Sequence, residues 1–398
     1  MRRRSAKSGP GGPPRVPFYN NPSIRGAFYQ FALLAALVAL IWIFIINARA
    51  NIAAQGFASG FDFLDHTAGF GVVQSLISYR ETDTYARVFL VGLLNTLLVA
   101  GIGIVLATVL GFVIGIARLS PNWLLARLAG GYVELIRNLP LLFQILFWYL
   151  AVLGSLPLPR ASYSLLGQIY LNNRGIIIPA PVVGAGAGFA LAALVSAILA
   201  AIALRAWAAR RQRFTGRRFP ARWAGVGLIV GAPLLALVAF GFPIELDPPQ
   251  LRGFNFVGGL RLIPEFVALL IALATYTAAF IAEVVRAGVL AVPRGQTEAA
   301  LALGLRRSAM LRLVVVPQAL RVIVPPLTNQ YLNLTKNSSL AVAIGYPDLF
   351  ALFAGTTLNQ THQAIEIIGL TMAVYLLISL VTSLFMNWYN ARLRVIER

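Results

Sequence analysis

Residues 88–116 read VFLVGLLNTLLVAGIGIVLATVLGFVIGI, an apolar run without one charged side chain. A helix rises 1.5 Å per residue, so about 20 such residues cross the roughly 30 Å hydrocarbon core of a bilayer. A run this long and this apolar belongs in lipid, and it sets the class as an all-α membrane protein. Similar runs stand at about Ala27–Ile46, Tyr132–Leu153, Ile178–Leu204, Trp223–Phe242, Phe266–Leu290, Val322–Phe353 and Ala364–Trp388. Together they predict about eight transmembrane helices. The seventh is expected to be irregular, because Pro325-Pro326 and the polar run Asn333–Ser339 interrupt it. Composition agrees: 59% of the 398 residues are hydrophobic and 12% charged, about half the ~25% charge of a soluble domain.

The basic residues sort by side. The net charge is +20, from 33 Lys and Arg against 13 Asp and Glu. Such a balance can mark a nucleic-acid binder, but these arginines sit in the gaps between apolar runs with no aromatic-interleaved platform. Nucleic acid is therefore not expected as a partner. Alternating loops instead hold 24 and seven basic residues, the asymmetry typical of loops kept in the cytoplasm. The richer set includes a polar, Pro/Gly-rich tail at residues 1–26, the loop Arg205–Arg222 with seven arginines, and the segment Arg286–Arg321. Both termini are then cytoplasmic. Ala48-Arg49-Ala50 after the first run resembles a signal-peptide cleavage site, yet ~20 apolar residues exceed the ~7–15 of such peptides. That first helix is expected to be retained. With no cysteine, disulfides, thiolate metal sites and Cys nucleophiles drop out. His66 and His362 lack ligand spacing, so no metal site is expected. No GxxxxGK[ST] phosphate loop occurs.

Between the sixth and seventh runs stands GQTEAALALGL, residues 295–305, continuing to Val314, Val316 and Pro317. Gln296 or Thr297 is expected to open a short helix, with Glu298 in its first turn near the positive end of the helix dipole. Ala299, Ala300, Ala302 and Gly304 keep its surface low, and Pro317 is expected to end or kink the element. A short helix with a shallow, small-residue face suits insertion into a groove on a soluble partner. It equally suits an interfacial helix lying on lipid.

The spacing Glu298-Ala299-Ala300, then Gly304, then Val314 and Val316-Pro317 resembles the EAA loop of binding-protein-dependent ABC importer permeases, with Gly295 just ahead of it. Tyr132–Gln144, Thr275–Gly288 and Lys336–Leu340 resemble segments of the polar amino-acid subfamily. The resemblance implies a five-helix ABC importer permease core within a permease domain at 88–390, interrupted by an extra helical hairpin at about 156–260. Residues 27–87 would form an additional helix and a periplasmic segment. It further implies an inner-membrane transport subunit that is not itself an enzyme and carries no cofactor, with ATP on a separate ATPase subunit. That ATPase would dock on Gly295, Glu298, Ala299, Ala300, Gly304 and Pro317. A second permease chain, similar or identical, and a periplasmic substrate-binding protein would complete the complex, which would move polar L-amino acids inward by alternating access. The long permeases of general L-amino-acid importers are similar in architecture.

Polar groups inside spans are costly and mark pairs or pathways. Glu283 with Arg286, and Glu134 with Arg137, have the i, i+3 spacing of helical ion pairs. Asn333, Lys336, Asn337, Ser338 and Ser339 are a candidate substrate pathway, since an ammonium with amides and hydroxyls can hold a carboxylate. Hydrogen bonding between subunits explains them equally well. An ion-coupled secondary transporter is the alternative function, but such folds often show paired broken helices, and only one irregular helix is expected here. A periplasmic phosphatase fused at Gly216 is expected to be inactive, because the arginines around it resist translocation. Activity there would mean that the spans between Leu153 and Phe266 are miscounted.

Overall fold

The computed structural model describes residues 22–54, 60–184, 187–216, 219–239 and 244–393. Most of the tail expected at 1–26 lies outside them. Among the described residues, seven helices are long and apolar enough to cross a membrane, or eight when one bent pair counts as a span. They are α1 (Pro22–Ala54), α2 (Tyr85–Ala117), α5 (Ala187–Thr215), α6 (Ala221–Ala239), α7 (Pro264–Leu290), α10 (Val316–Asn337) and α12 (Ala364–Leu393). The bent pair is α3 (Trp123–Asn138) with α4 (Leu141–Leu146), which runs on as a π-helical segment to Leu153. Short α8 (Arg294–Ala302) and α9 (Arg307–Met310) connect α7 to α10, and α11 (Leu358–Thr361) precedes α12.

The third span departs from the single helix expected over Tyr132–Leu153. α3 and α4 meet at 106°, because Pro140 has no N–H to continue α3 and restricts the residue before it. The carbonyls freed at such a break need donors. Gln144, almost fully buried, donates from Nε2 to both Ile136 and Leu139 carbonyls at 3.0 Å. The seventh span departs in the opposite sense. α10 runs through Pro325-Pro326 and the polar stretch as one helix, tightening to 3-10 geometry only at Ser338–Ile344.

α7 is the hub. Buried residues make up 61% of its apolar stretch, against 28% in α2 and 6% in α6. It packs on α2, α10, α3 and α4, with Leu269, Leu273 and Ile281 wholly enclosed. The approach of α2 depends on Gly111 and Gly115, one turn apart. A Cβ on Gly111 would lie 2.5 Å from Ile281, and one on Gly115 would lie 2.8 Å from the Ala282 carbonyl oxygen. Small residues at this i, i+4 spacing let membrane helices touch along their backbones.

A second group of contacts closes the other end of the core. Asn95 of α2 donates to the Gln74 and Pro347 carbonyls at 2.9 Å, and the Thr96 hydroxyl accepts from the Leu349 amide at 3.0 Å. Buried Asp348 accepts from the Ala351 amide and from the Tyr375 hydroxyl of α12. The Asn95 and Thr96 bonds pin the turn between α10 and α12 to α2, and the Tyr375 bond ties it to α12.

The 156–260 insert holds the expected helical pair, but its first helix starts later than Ile178. Residues 163–183 are instead strands β1 (Tyr163–Leu165), β2 (Ile169–Asn172), β3 (Gly175–Ile178) and β4 (Ala180–Val183). Four more follow α6: β5 (Ile244–Asp247), β6 (Gln250–Arg252), β7 (Asn255–Val257) and β8 (Leu260–Leu262). One antiparallel sheet runs β1-β2-β3-β8, and β4 pairs with β5 at the base of the α5–α6 hairpin. Pro179 and Pro181, beside the β-branched Ile176-Ile177-Ile178, explain why this apolar run is extended. The helical membrane class stands, with a small β platform on the strand end of the bundle.

Gly115→Ala is expected to cost about 1–3 kcal/mol by overpacking α2 on α7. Gly101→Ala on the same helix should be neutral or slightly favourable, since a Cβ there meets nothing. Unfolding midpoints of the two variants in detergent test the difference.

Candidate functional site

The connection from α7 to α10 projects from the end of the bundle opposite the strands. α7 closes at Leu290, and Pro293 precedes α8. The helix opens at Arg294, earlier than Gln296 or Thr297, whose hydroxyl donates back to the Arg294 carbonyl at 2.6 Å. Glu298 therefore lies beyond the first turn, past the reach of the helix dipole. Pro317 does not end this connection either. It lies within one continuous helix, Arg307–Ile344, just after a π-helical segment at Leu311–Val315.

α8 stops on a Schellman motif. The Gly304 amide donates to the Leu301 carbonyl at 2.9 Å, and the Leu305 amide to the Ala300 carbonyl at 3.2 Å. Gly304 has φ +75°, and a Cβ on it would meet nothing within 4 Å of its own chain. Its requirement inside the chain is conformational, since a side chain in left-handed backbone costs about 1–2 kcal/mol. Ala300 is buried against the following segment, while Gly295, Glu298 and Ala299 face outward. So do Leu301 at 52% and Leu303 at 82% exposure. Sequence reading passed over these two leucines, although large apolar residues among alanines on a short exposed helix were the available signal. Gln318 of α10 donates to Gln296 at 3.3 Å and ties α8 to the next span.

The i, i+3 pair expected on α7 forms: Arg286 approaches Glu283 at 2.6 Å. Arg118 at the end of α2 completes a triad by bonding the other carboxylate oxygen of Glu283. The triad clamps α2 to α7 two turns ahead of α8. Glu134 and Arg137 do not pair. Arg137 instead lies over the Phe280 ring at 5.0 Å, and Glu134 is exposed.

The polar stretch of α10 separates into two faces. Ser338 is fully buried and donates to the Thr335 carbonyl at 2.8 Å. Ser339 donates to the Lys336 carbonyl at 2.8 Å. Asn333 and Lys336 are exposed and one turn apart, with Asn337 half-buried beside them. Lys336 is thus not a buried cation. Together with Ser339 it lines an open cavity of about 580 Å³ that Phe350, Thr371, Tyr375 and Ser379 also border. Among the described residues no carboxylate pairs with the Lys336 ammonium.

These features define a multi-helix membrane protein with a rigid helical projection joining two spans of its core. The chain belongs to the family of binding-protein-dependent transport system inner membrane components, whose pattern matches residues 103–395. It is thus a transport subunit and not an enzyme. It is 53% identical to the general L-amino acid transport system permease protein AapQ of Rhizobium johnstonii, over 95% of this chain and 94% of that one. It is 54% identical to the putative amino-acid ABC transporter permease protein YhdX of Escherichia coli, over 96% and 97% of the two chains. It is 45% identical to the glutamate/glutamine/aspartate/asparagine transport system permease protein BztB of Rhodobacter capsulatus, over 92% of each. At these coverages the likeness runs through the 156–260 insert. None of these relatives supports the ion-coupled alternative.

Gly304→Ala is expected to loosen the end of α8 by about 1 kcal/mol, while Gly304→Asn should lose less because Asn tolerates left-handed backbone. Hydrogen exchange of the Gly304 and Leu305 amides in the two variants measures this. Equal protection in both would remove the conformational role.

Proposed function

We propose that this chain lines the path of an ATP-driven importer of polar L-amino acids in a bacterial inner membrane, with both termini cytoplasmic. The observation that carries the reading is α8. It lies in the connection from α7 to α10, is held by its glycine cap and its tie to Gln318, and presents Leu301 and Leu303 to a partner. ATP would bind that partner, a separate ATPase. Closure of the ATPase would push α8 and tilt α7 against α10, shifting the permease between outward- and inward-open states. Gly295, Glu298, Ala299, Ala300, Gly304 and Pro317 would form or support the docking surface.

The permease domain at 88–390 would hold the path, with residues 27–87 and the 156–260 hairpin added to it. A substrate-binding protein would deliver at the strand end, and a second permease chain, similar or identical, would complete the path. The amino-acid substrate is supported by the names of the three relatives and by the exposed ammonium of Lys336. Asn333, Asn337, Ser338 and Ser339 stand beside it. A lysine on a cavity wall whose ammonium no described carboxylate pairs with suits the α-carboxylate that all amino acids share.

Lys336→Ala is expected to lower amino-acid uptake about tenfold to 100-fold, the worth of one charge-assisted hydrogen bond of roughly 1.5–3 kcal/mol. Lys336→Arg should retain more. Uptake is measured in vesicles with equal permease, alongside co-purification of the ATPase. Loss of the assembled complex instead of uptake would assign Lys336 to subunit contacts.

A further inference from the structure

We propose that the loop end of the α5–α6 hairpin is a binding site for anionic glycerophospholipid, whose phosphodiester headgroups its arginines hold. The proposal rests on the orientation that places this end in the cytoplasm. α5 and α6 pack on each other through Ala197, Ala201, Ala208 and Gly225. Their outer surfaces remain apolar and exposed, for instance Leu191, Leu199 and Leu235. The hairpin therefore stands in lipid beside the core, where headgroups surround its end.

Arg205 comes about 27 Å along α5 from Ala187, close to the thickness of the hydrocarbon core. The helix then continues to Thr215 and carries Arg210, Arg211 and Arg213, all exposed, with Arg222 exposed at the start of α6. No acidic residue occurs between Glu134 and Glu245. Among the described residues none of these five arginines has an ion-pair partner. Aromatic rings stand at the same level. Arg211 lies over the Trp207 ring at 5.2 Å, Trp207 meets Phe219 edge-on at 5.6 Å, and Trp223 is 80% exposed. Tryptophan at the end of an apolar helix marks the headgroup level.

The angular spacing selects lipid over a docked protein. Residues turn 100° apart on a helix, so Arg205, Arg213, Arg210 and Arg211 fan over every side of α5 except the one that packs on α6 through Ala197, Ala201 and Ala208. A protein would cover one side of such a ring. A layer of negative headgroups meets every side, and clustered Lys/Arg beside a span bind such lipids.

The test uses the full-length chain in neutral detergent, titrated with phosphatidylglycerol or phosphatidylcholine of identical acyl chains, with bound lipid counted by native mass spectrometry. Phosphatidylglycerol should bind more tightly, and R210Q/R211Q/R213Q should weaken it about fivefold for each arginine removed, leaving phosphatidylcholine unchanged. Equal binding of the two lipids would overturn the proposal. So would displacement of phosphatidylglycerol by millimolar glycerol 3-phosphate, which would make this a site for free phosphate esters. Retained lipid preference with lost ATPase co-purification in the variant would assign the arginines to the protein partner. The phosphatase fusion at Gly216 reads orientation separately: an inactive fusion without lipid preference defeats this proposal alone, and an active one defeats the orientation.

Discussion

The backbone contact between α2 and α7 is the constraint on which the other arrangements depend. In lipid there is no hydrophobic drive to bring two apolar helices together, so close packing must supply the attraction. Gly111 and Gly115 remove the Cβ atoms that would hold the helices apart. The same contact sets Arg118 against Glu283, and that carboxylate gathers Arg286 as well. With α2 and α7 fixed, α7 offers its remaining faces to α10 and to the broken α3–α4 pair.

Both ends of the core then serve different purposes. At one end, Asn95, Thr96 and Asp348 hold the turn between α10 and α12 through bonds shielded from water. An unmet donor or acceptor there would cost about 1–3 kcal/mol, so the turn has one stable placement. At the other end α8 stands away from the bundle, ended by a glycine cap and exposing two leucines. A helix this short is marginal on its own, so its cap and its tie to Gln318 hold it in place. Its exposed surface is meaningful once the chain is placed among permease subunits that act with partners.

The hairpin of α5 and α6 follows another logic. It packs on itself and meets the core through short strands, with arginines ringing one end and no acid near them in sequence. Its stability therefore owes more to the surrounding membrane than to the core, in contrast to α7, which lipid barely touches.

The membrane class, the approximate spans and the position of the α7–α10 connection were determined by the sequence itself, because hydropathy over ~20 residues is a local property that lipid enforces. The EAA-like spacing lay in one continuous segment and was legible for the same reason. Tertiary structure decided what depended on direction and partner. Pro140 bends its helix by 106°, with Gln144 satisfying carbonyls at the break, while Pro325-Pro326 remain within one helix. Gly304 owes its place to a positive φ, and Lys336 faces a cavity instead of the core. Glu283 finds Arg118 far away in sequence, a pairing that i, i+3 spacing could not reveal. The apolar Ile176–Ile178 became a strand because a partner strand, β8, arrives from beyond the hairpin.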